Sequence, residues 1–270
     1  KEEFNEIGHR GTEQYGAFSY KPGFAINPLK FVNGIAKYAL SKKLKIFEHT
    51  KVDQIDKENG SYFLKTKEGI IRTKKIVVAT NGFYQEGLIP QMDGMVLPVI
   101  SNVIVTRKLN DDELNAHNFK TFSPIANTKN LLYYYRKLPD NRILFGTRGD
   151  LTGSDQSNLA MSKKMEKFLK DIFPNWSNVA IEYNWRGLIA LSQKLTPSIG
   201  KIENEEIYYG FGYNGVGVSA APWTGKQLSK LVFSSNSKEL DISKIYKGLP
   251  KKFIFPQLRI FYFRLAVWFY

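Results

Sequence analysis

Apolar positions along this chain follow two rhythms, one near 3.6 residues and one of two, and the switches between them mark out elements. Residues 1–26 keep neither rhythm and read as loop with short strands. Asn27-Pro28 is a helix start, with Asn27 as N-cap and proline at the first helical position. Leu29, Val32, Ile35, Ala36, Ala39 and Leu40 continue it at helical spacing. Strands are expected at 45–48 and 50–55, then a hairpin at 61–66 and 69–73 that turns through Lys67-Glu68-Gly69. Alternating β-branched residues over 96–107 predict antiparallel strands. A second hairpin, 131–136 with 142–148, turns through Pro139-Asp140-Asn141. Residues 160–173 read as a helix with Met161, Met165, Phe168, Leu169 and Ile172 on one face and lysines opposite. Residues 179–190 read as a strand.

Two apolar strands run directly into glycine. Ile76-Val77-Val78-Ala79 is unbroken, as in a parallel strand buried on both faces, and passes into Thr80-Asn81-Gly82. Open α/β sheets bind ligands beyond such carboxyl ends. Ile207-Tyr208-Tyr209 leads into GFGYNGVG, whose glycines are Gly210, Gly212, Gly215 and Gly217. A helix follows through Val218, Ala221, Gln227, Leu228 and Leu231, with Gly225 placed for close packing. Strand, glycine turn and helix start can present backbone N–H groups to an anion or an electron-rich ring. Read from Gly212 the spacing is G-x-x-G-x-G, which lends no support to a dinucleotide phosphate cradle. The middle third lacks β-α-β alternation and sits between these two stretches, so an antiparallel unit interrupts a parallel layer. The expected segments are 1–95, 96–190 and 191–270.

Composition narrows the chemistry. The 270 residues, 43% hydrophobic and 14% aromatic, are enough for one large domain or two smaller ones. There is no cysteine, which removes disulfides, thiolate metal sites and thiol nucleophiles. His9, His49 and His117 do not sit at metal-ligand spacing, so no metal is expected. The net charge of +14 comes from scattered lysine doublets, not a block, which disfavours nucleic acid as partner. The first residues show no apolar leader and no apolar run reaches membrane-spanning length, so a cytoplasmic location is expected. The chain opens without methionine and closes on VWFY, which reads as a piece of something longer. Residues 253–270 put Leu258, Phe261, Tyr262, Leu265 and Phe269 on one helical face, with Arg259 and Arg264 near another. A helix docked on the body is the favoured reading there, over peripheral contact with a membrane.

Several short stretches, in this order, resemble the D-amino-acid oxidase/glycine oxidase superfamily of FAD-dependent amine oxidoreductases. They are Asn27 to Val32, the run from Lys45 ending in Val52-x-x-Ile55, and Ile76 to Gly82. Leu97-Pro98-Val99 follows, then Tyr135-Arg136 through Phe145 to Arg148, Trp185-Arg186-Gly187, Thr196 to Gly200, and Tyr209 to Val218. The flavour is that of the γ-glutamylputrescine oxidase branch. The resemblance implies an α/β (mixed α+β) protein: an incomplete Rossmann-type FAD-binding domain with an inserted mixed or antiparallel-sheet substrate domain. It implies non-covalent FAD, since no cysteine is available for attachment. Val52 would meet the adenine, and Ala79, Thr80, Asn81 and Gly82 the adenosine and pyrophosphate. Gly210, Gly212, Tyr213, Asn214, Gly215, Val216 and Gly217 would lie along the isoalloxazine.

Three departures accompany it. The family's G-x-G-x-x-G motif and acidic ribose residue, expected near the N-terminus of a full protein, are missing from the start of this chain. Asn214 stands where relatives often have histidine. Gly217 is near the place of a lysine that activates oxygen in sarcosine-oxidase-like members. The implied reaction oxidises the C–N bond of a small amine or amino acid by hydride transfer to flavin, with imine hydrolysis and reoxidation by oxygen or an electron carrier. Catalytic candidates are Arg148, as a carboxylate clamp, Tyr135 and Asn214; Tyr134 and Trp185 are further substrate-side candidates. Tyr134 and Tyr135 alternate on a strand, so one of them is core. Trp185 reads chiefly as packing. The competing class is a non-enzymatic basic module for anionic membrane or RNA.

Overall fold

The computed structural model describes residues 1–12, 15–129, 132–234 and 242–268. Two compact units divide it: residues 1–26 with 100–187, and 27–99 with the chain from 188 onward.

The first unit is built on a five-stranded sheet. Its strands β5 (Leu97–Thr106), β6 (Ile125–Ala126), β7 (Tyr133–Lys137), β8 (Ile143–Arg148) and β9 (Ile181–Leu191) run in the order β6-β7-β8-β5-β9. The pairs β6–β7, β7–β8 and β5–β8 are antiparallel. The hairpin expected around Pro139-Asp140-Asn141 is β7–β8, with Asn141 in the left-handed region at φ 65°; Leu131, at the expected start, lies outside the described residues. Residues 96–107 form one continuous strand, not several. Helix α4 (Asp155–Ile172) begins five residues before the expected start, because the Ser154 side chain accepts the Ser157 N–H and caps it. Its Met165, Leu169 and Ile172 are buried, and Met161 and Phe168 pack at the margin. With Phe145, Phe173 and Trp176 they form the core of this unit. The short helix α3 (Asp111–Ala116) carries a reciprocal cap between Asn110 and Glu113. Residues 1–26 hold helix α1 (Glu2–Ile7) and, among those described, no strand. The expectation of short strands there fails because a two-turn helix with Glu2 and Glu3 in its first turn uses those residues instead.

The second unit holds helix α2 (Pro28–Ser41), which starts as expected: Asn27 Oδ1 accepts the Lys30 N–H at 3.0 Å. No residue of α2 is buried. Strands β1 (Gln54–Glu58), β2 (Ser61–Lys65) and β3 (Ile70–Thr73) form an antiparallel meander, so the hairpin at 61–73 is present. Residues 45–48 are not a strand, because Lys43 and His49 adopt positive φ on either side and break the extended run. The other sheet has the order β10-β11-β4, from β4 (Ile76–Val78), β10 (Ser198–Lys201) and β11 (Ile207–Phe211). Helix α5 (Gly217–Phe233) lies on it, with Leu228 packed against Ile199 and Tyr208. On the other face Tyr62 joins Ile76, Val78, Tyr209 and Phe211. Its hydroxyl accepts the Glu206 N–H at 2.9 Å, which fastens the meander to β11.

Packing differs from expectation at three places. Val77, expected to be buried on both faces with the rest of its strand, is 48% exposed. The reason is that α5 covers β11 but leaves β4, the edge strand, open. A Cβ at Gly225 would meet nothing within 4 Å, so that glycine is not a packing site; Gly210 is, as described below. Helix α6 (Arg259–Trp268) begins after Pro256, and Leu258, Phe261 and Leu265 are exposed instead of docked. What holds its start is Arg259, whose guanidinium pairs with Glu86 and donates to the Pro256 carbonyl at 2.7 Å. Phe269 and the Tyr262 side chain lie outside the described residues.

Candidate functional site

Strands β4 and β11 run parallel in the register Ile76↔Ile207, Tyr208↔Val77 and Tyr209↔Val78, so their carboxyl ends finish on one edge. Beyond β4 the chain passes through exposed Ala79 and Thr80 into a single turn of 3₁₀ helix, Asn81–Phe83. Asn81 has φ 49°, a left-handed conformation that asparagine tolerates better than most residues. Its Oδ1 accepts the Gly212 N–H at 3.0 Å. That bond ties together the two glycine-bearing turns, 131 residues apart in sequence. A Cβ on buried Gly82 would come within 3.2 Å of the Leu188 Cβ, so glycine lets the turn lie against Leu188, which belongs to the same unit.

The loop after β11 is shaped by backbone positions few other residues accept. Gly212 (φ 74°), Asn214 (φ 51°) and Gly215 (φ 98°) are all left-handed. Gly210 meets a different demand, because a Cβ there would come within 2.5 Å of Thr224 Cγ2 and 2.8 Å of Leu228 Cδ1, both on α5. Counted from Gly210, the glycines fall as Gly210-x-Gly212-x-x-Gly215 between a strand and a helix, which is the dinucleotide spacing. Counting from Gly212 misses it. Asn214 is committed to the loop itself. Its N–H donates to the Ala190 carbonyl at 3.0 Å, its Oδ1 accepts the Ser192 N–H at 2.9 Å, and its amide N–H donates to Gly212 O.

Helix α5 begins at Gly217 with no side chain capping it. Its first-turn N–H groups therefore point outward, carrying the positive end of a 17-residue helix. Next to them Gly215 is exposed, and a Cβ there would meet nothing within 4 Å. Ser192, which the sequence did not single out, is buried with an Oγ that has no partner among the described residues, 3.3 Å from where a Gly212 Cβ would stand. A flat ring carrying carbonyl oxygens fits these features: open backbone at Gly215, unclaimed helix N–H groups and an unsatisfied hydroxyl close by. Burial also pushes the Tyr209 hydroxyl up to about 12, and raises that of Tyr213. Both therefore stay neutral at ordinary pH.

Val52 is half-buried just before β1, and none of the hydrogen bonds of the described residues ties it to the glycine loop. In the first unit, Tyr135 is in the core with its hydroxyl 2.9 Å from His9 Nε2. Tyr134 points to the opposite face, bonded to Ser101 Oγ at 3.0 Å and lying over Gly146, where a Cβ would come within 2.1 Å of its ring. Cross-strand register puts Arg148 opposite Ser101 and Tyr134 opposite Gly146, so Arg148 and Tyr134 share that non-core face. Among the described residues Arg148 is half-buried and makes no ion pair. Trp185, expected to pack, is exposed, and the neighbouring Arg186 reaches the Ser154 carbonyl at 2.8 Å and Asp155 at 3.1 Å. Among the described residues no cluster could hold a metal ion, and no helix is long and apolar enough to cross a membrane.

A mixed α/β protein whose adjacent parallel strands end in glycine turns before an uncapped helix is of the nucleotide-cofactor-binding class. The comparisons make this specific. Residues 1–231 match the family described as FAD dependent oxidoreductase (DAO), and the chain belongs to that family. It is 27% identical over 268 residues to the probable oxidoreductase OrdL of Haemophilus influenzae, covering 95% of this chain and 60% of that protein. It is 28% identical over 217 residues to gamma-glutamylputrescine oxidoreductase of Escherichia coli, covering 80% and 50%. The chain thus spans about half to three-fifths of these relatives. Solved structures with a similar fold include L-proline dehydrogenase from P. horikoshii (TM-score 0.63, 23% identity, 78% of this chain and 56% of that one). Glycine oxidase from Geobacillus kaustophilus is comparable (TM-score 0.63, 19% identity, 78% and 54%).

Proposed function

We propose that this chain carries part of the FAD site of an enzyme that oxidises the C–N bond of a small amine or amino acid. The observation that carries the reading is the Asn81–Gly212 bond, which sets both glycine turns and the uncapped start of α5 on one edge of a parallel strand pair. FAD, when bound, supplies the acceptor for the two electrons removed from the substrate. The rest is the work of the chain. The N–H groups at the start of α5 would hold the electron-rich ring of FAD and would favour negative charge there. Ser192 Oγ would offer the cofactor a hydrogen bond, and the turn at Ala79 to Gly82 would hold its adenosine–pyrophosphate part. Asn214 acts by holding the loop in shape. On the non-core face of the five-stranded sheet, Arg148 binds a substrate carboxylate and Tyr134 orients it. Dioxygen or an electron carrier takes the electrons onward.

The test is a visible spectrum of the chain with FAD, followed by turnover on polyamines, N-methyl glycines and D-amino acids. A protein that stays colourless under every condition overturns the reading. With Arg148→Met, KM for a carboxylate-bearing amine should rise by about tenfold or more, while a substrate without the carboxylate is unaffected. Equal loss on both substrates would remove Arg148 from that role. Exposed Phe261 and Leu265 on α6, with Leu258 just before it, favour a second, compatible reading, peripheral contact with an anionic membrane, tested by co-sedimentation with anionic vesicles.

A further inference from the structure

From residue 242 to 270 the chain carries Lys244, Lys247, Lys251, Lys252, Arg259 and Arg264 and no acidic residue. The same stretch holds large apolar side chains out in water. Ile254 is 73% exposed and Phe255 70%, and Leu258, Ile260, Phe261 and Leu265 are exposed after them. The turn that carries the first two is fastened on both sides to the second unit. Phe253 N–H donates to the Gly94 carbonyl at 2.8 Å, and the Lys252 carbonyl accepts Gln193 Nε2–H at 3.2 Å. Lys252 Nζ donates to the Pro90 carbonyl at 3.0 Å. Beyond the turn, Pro256 sits 2.7 Å from where a Gly94 Cβ would stand, and Arg259 is paired with Glu86. Ile254 and Phe255 stand between these fastenings. Phe255 is also left-handed, at φ 46° and ψ 68°, a backbone conformation costly for an aromatic residue. Neither burial nor local preference accounts for a strained backbone that presents a bulky apolar side chain to solvent, so the side chain itself has a use.

We infer that the Ile254-Phe255 turn and the outer stripe of α6 form one wedge that enters the headgroup zone of an anionic bilayer. The inference rests on the membrane reading of α6 and needs no FAD. Leu258, Phe261 and Leu265 are spaced three and four residues apart and share one stripe. Arg264, beside that stripe and exposed, can lay its stem along the apolar phase and keep its guanidinium among the headgroups. Lys244 and Lys251, both exposed, supply further cationic contacts. Charge selects the occupant. A second copy of this chain would set six basic residues against six, with no acid among them, and like charges oppose such a pairing. Nucleic acid would satisfy the charge but offers Ile254, Phe255 and Leu265 no apolar phase to enter. A bilayer with anionic lipid supplies both, and it attracts each basic residue held near its surface.

The chain has no cysteine, so Ile254→Cys accepts a single environment-sensitive dye and leaves Phe255 in place. The full 270-residue chain is mixed with phosphatidylcholine vesicles made with and without phosphatidylserine. The expected result is a blue shift of the dye on the anionic vesicles alone. A dye at Phe18→Cys, an exposed position of the first unit, should not shift. Affinity in co-sedimentation should fall as salt rises, and Lys251→Gln should lower it by about fivefold. Phe255→Gly separates binding from folding. Glycine accepts φ 46°, so the unfolding midpoint should hold or rise while vesicle affinity drops by about tenfold or more. The two readings fail separately. No co-sedimentation with anionic vesicles removes the membrane reading and the wedge with it. Co-sedimentation with the dye at 254 still in water, or with Phe255→Gly binding as tightly as the parent chain, removes the wedge alone. Equal binding to vesicles without phosphatidylserine, or tighter binding to single-stranded RNA than to anionic vesicles, also overturns it.

Discussion

At the scale of single residues, Asn81 and Gly210 bear the most weight in the candidate site, for opposite reasons. Asn81 supplies an acceptor to Gly212 N–H from a left-handed backbone, so Asn81→Ala removes the acceptor and leaves that N–H without a partner. The expected cost is about 1–3 kcal/mol in urea unfolding, and Asn81→Asp, which keeps an acceptor, should recover most of it. Equal losses in both variants would show that the bond does not matter. Gly210 supplies absence of volume. Gly210→Val would drive a side chain into Thr224 and Leu228, and should lower stability by about 1–3 kcal/mol or more. Gly225→Ala, at an open position inside the same helix, should be neutral or stabilising by up to about 1 kcal/mol. Glycine counts alone would have ranked these two positions alike. The sequence did expose the asparagine and the glycines as special; which glycine meets which obstacle depends on side chains far away in the chain.

At the scale of elements, the segment 1–12 is held to the first unit by a buried histidine. His9 is fully buried, 2.9 Å from Tyr135 Oη and stacked on Phe119 with ring centroids 4.9 Å apart. Arg10 N–H donates to the His117 carbonyl at 2.6 Å, and Lys120 N–H to the Gly8 carbonyl at 2.8 Å. Burial, helped by the nearby His117, lowers the His9 pKa from 6.5 to about 4. The unfolded chain therefore binds more protons than the folded one between those values. Stability conferred by neutral His9 is complete above about pH 6.5 and falls as pH drops toward 4, by up to about 3 kcal/mol. Replacing His9 by phenylalanine should flatten the unfolding midpoint across that window, and a slope that persists would exclude His9 as its source. None of this was legible from the sequence, where His9 sits in an aperiodic stretch and Phe119 and Tyr135 are 110 and 126 residues away. Elements with strong local signals fared better. Asn27-Pro28, the two hairpins, and the helix that became α4 were all readable, because caps and periodicity are local quantities.

For the whole molecule, the net charge of +14 bears on how an anionic cofactor arrives. FAD carries a pyrophosphate, so its association rate should fall by roughly tenfold between low salt and physiological salt, with dissociation little changed. Stopped-flow mixing at two ionic strengths measures this, and a salt-independent rate would assign the charge to solubility alone. The mixed α/β class, the break of a parallel layer by an antiparallel unit, and the family were all readable from local order along the chain. What the apolar run at 76–79 did not reveal is that Val77 is bare, because periodicity reports which side chains prefer burial and not whether anything is present to bury them.

Sequence alone determined the elements with strong local signals, the absence of thiol chemistry, and the order of short stretches that marks an FAD-dependent oxidoreductase. These follow from dihedral preference, side-chain period and residue inventory, all of which act within a few residues. Only the tertiary structure decided that Asn81 reaches Gly212, that Tyr135 is core while Tyr134 and Arg148 share the other face, and that β4 and α2 stand uncovered. Those facts depend on contacts between residues far apart in the chain, and such contacts form only where the packed elements bring their side chains within a few ångströms of one another.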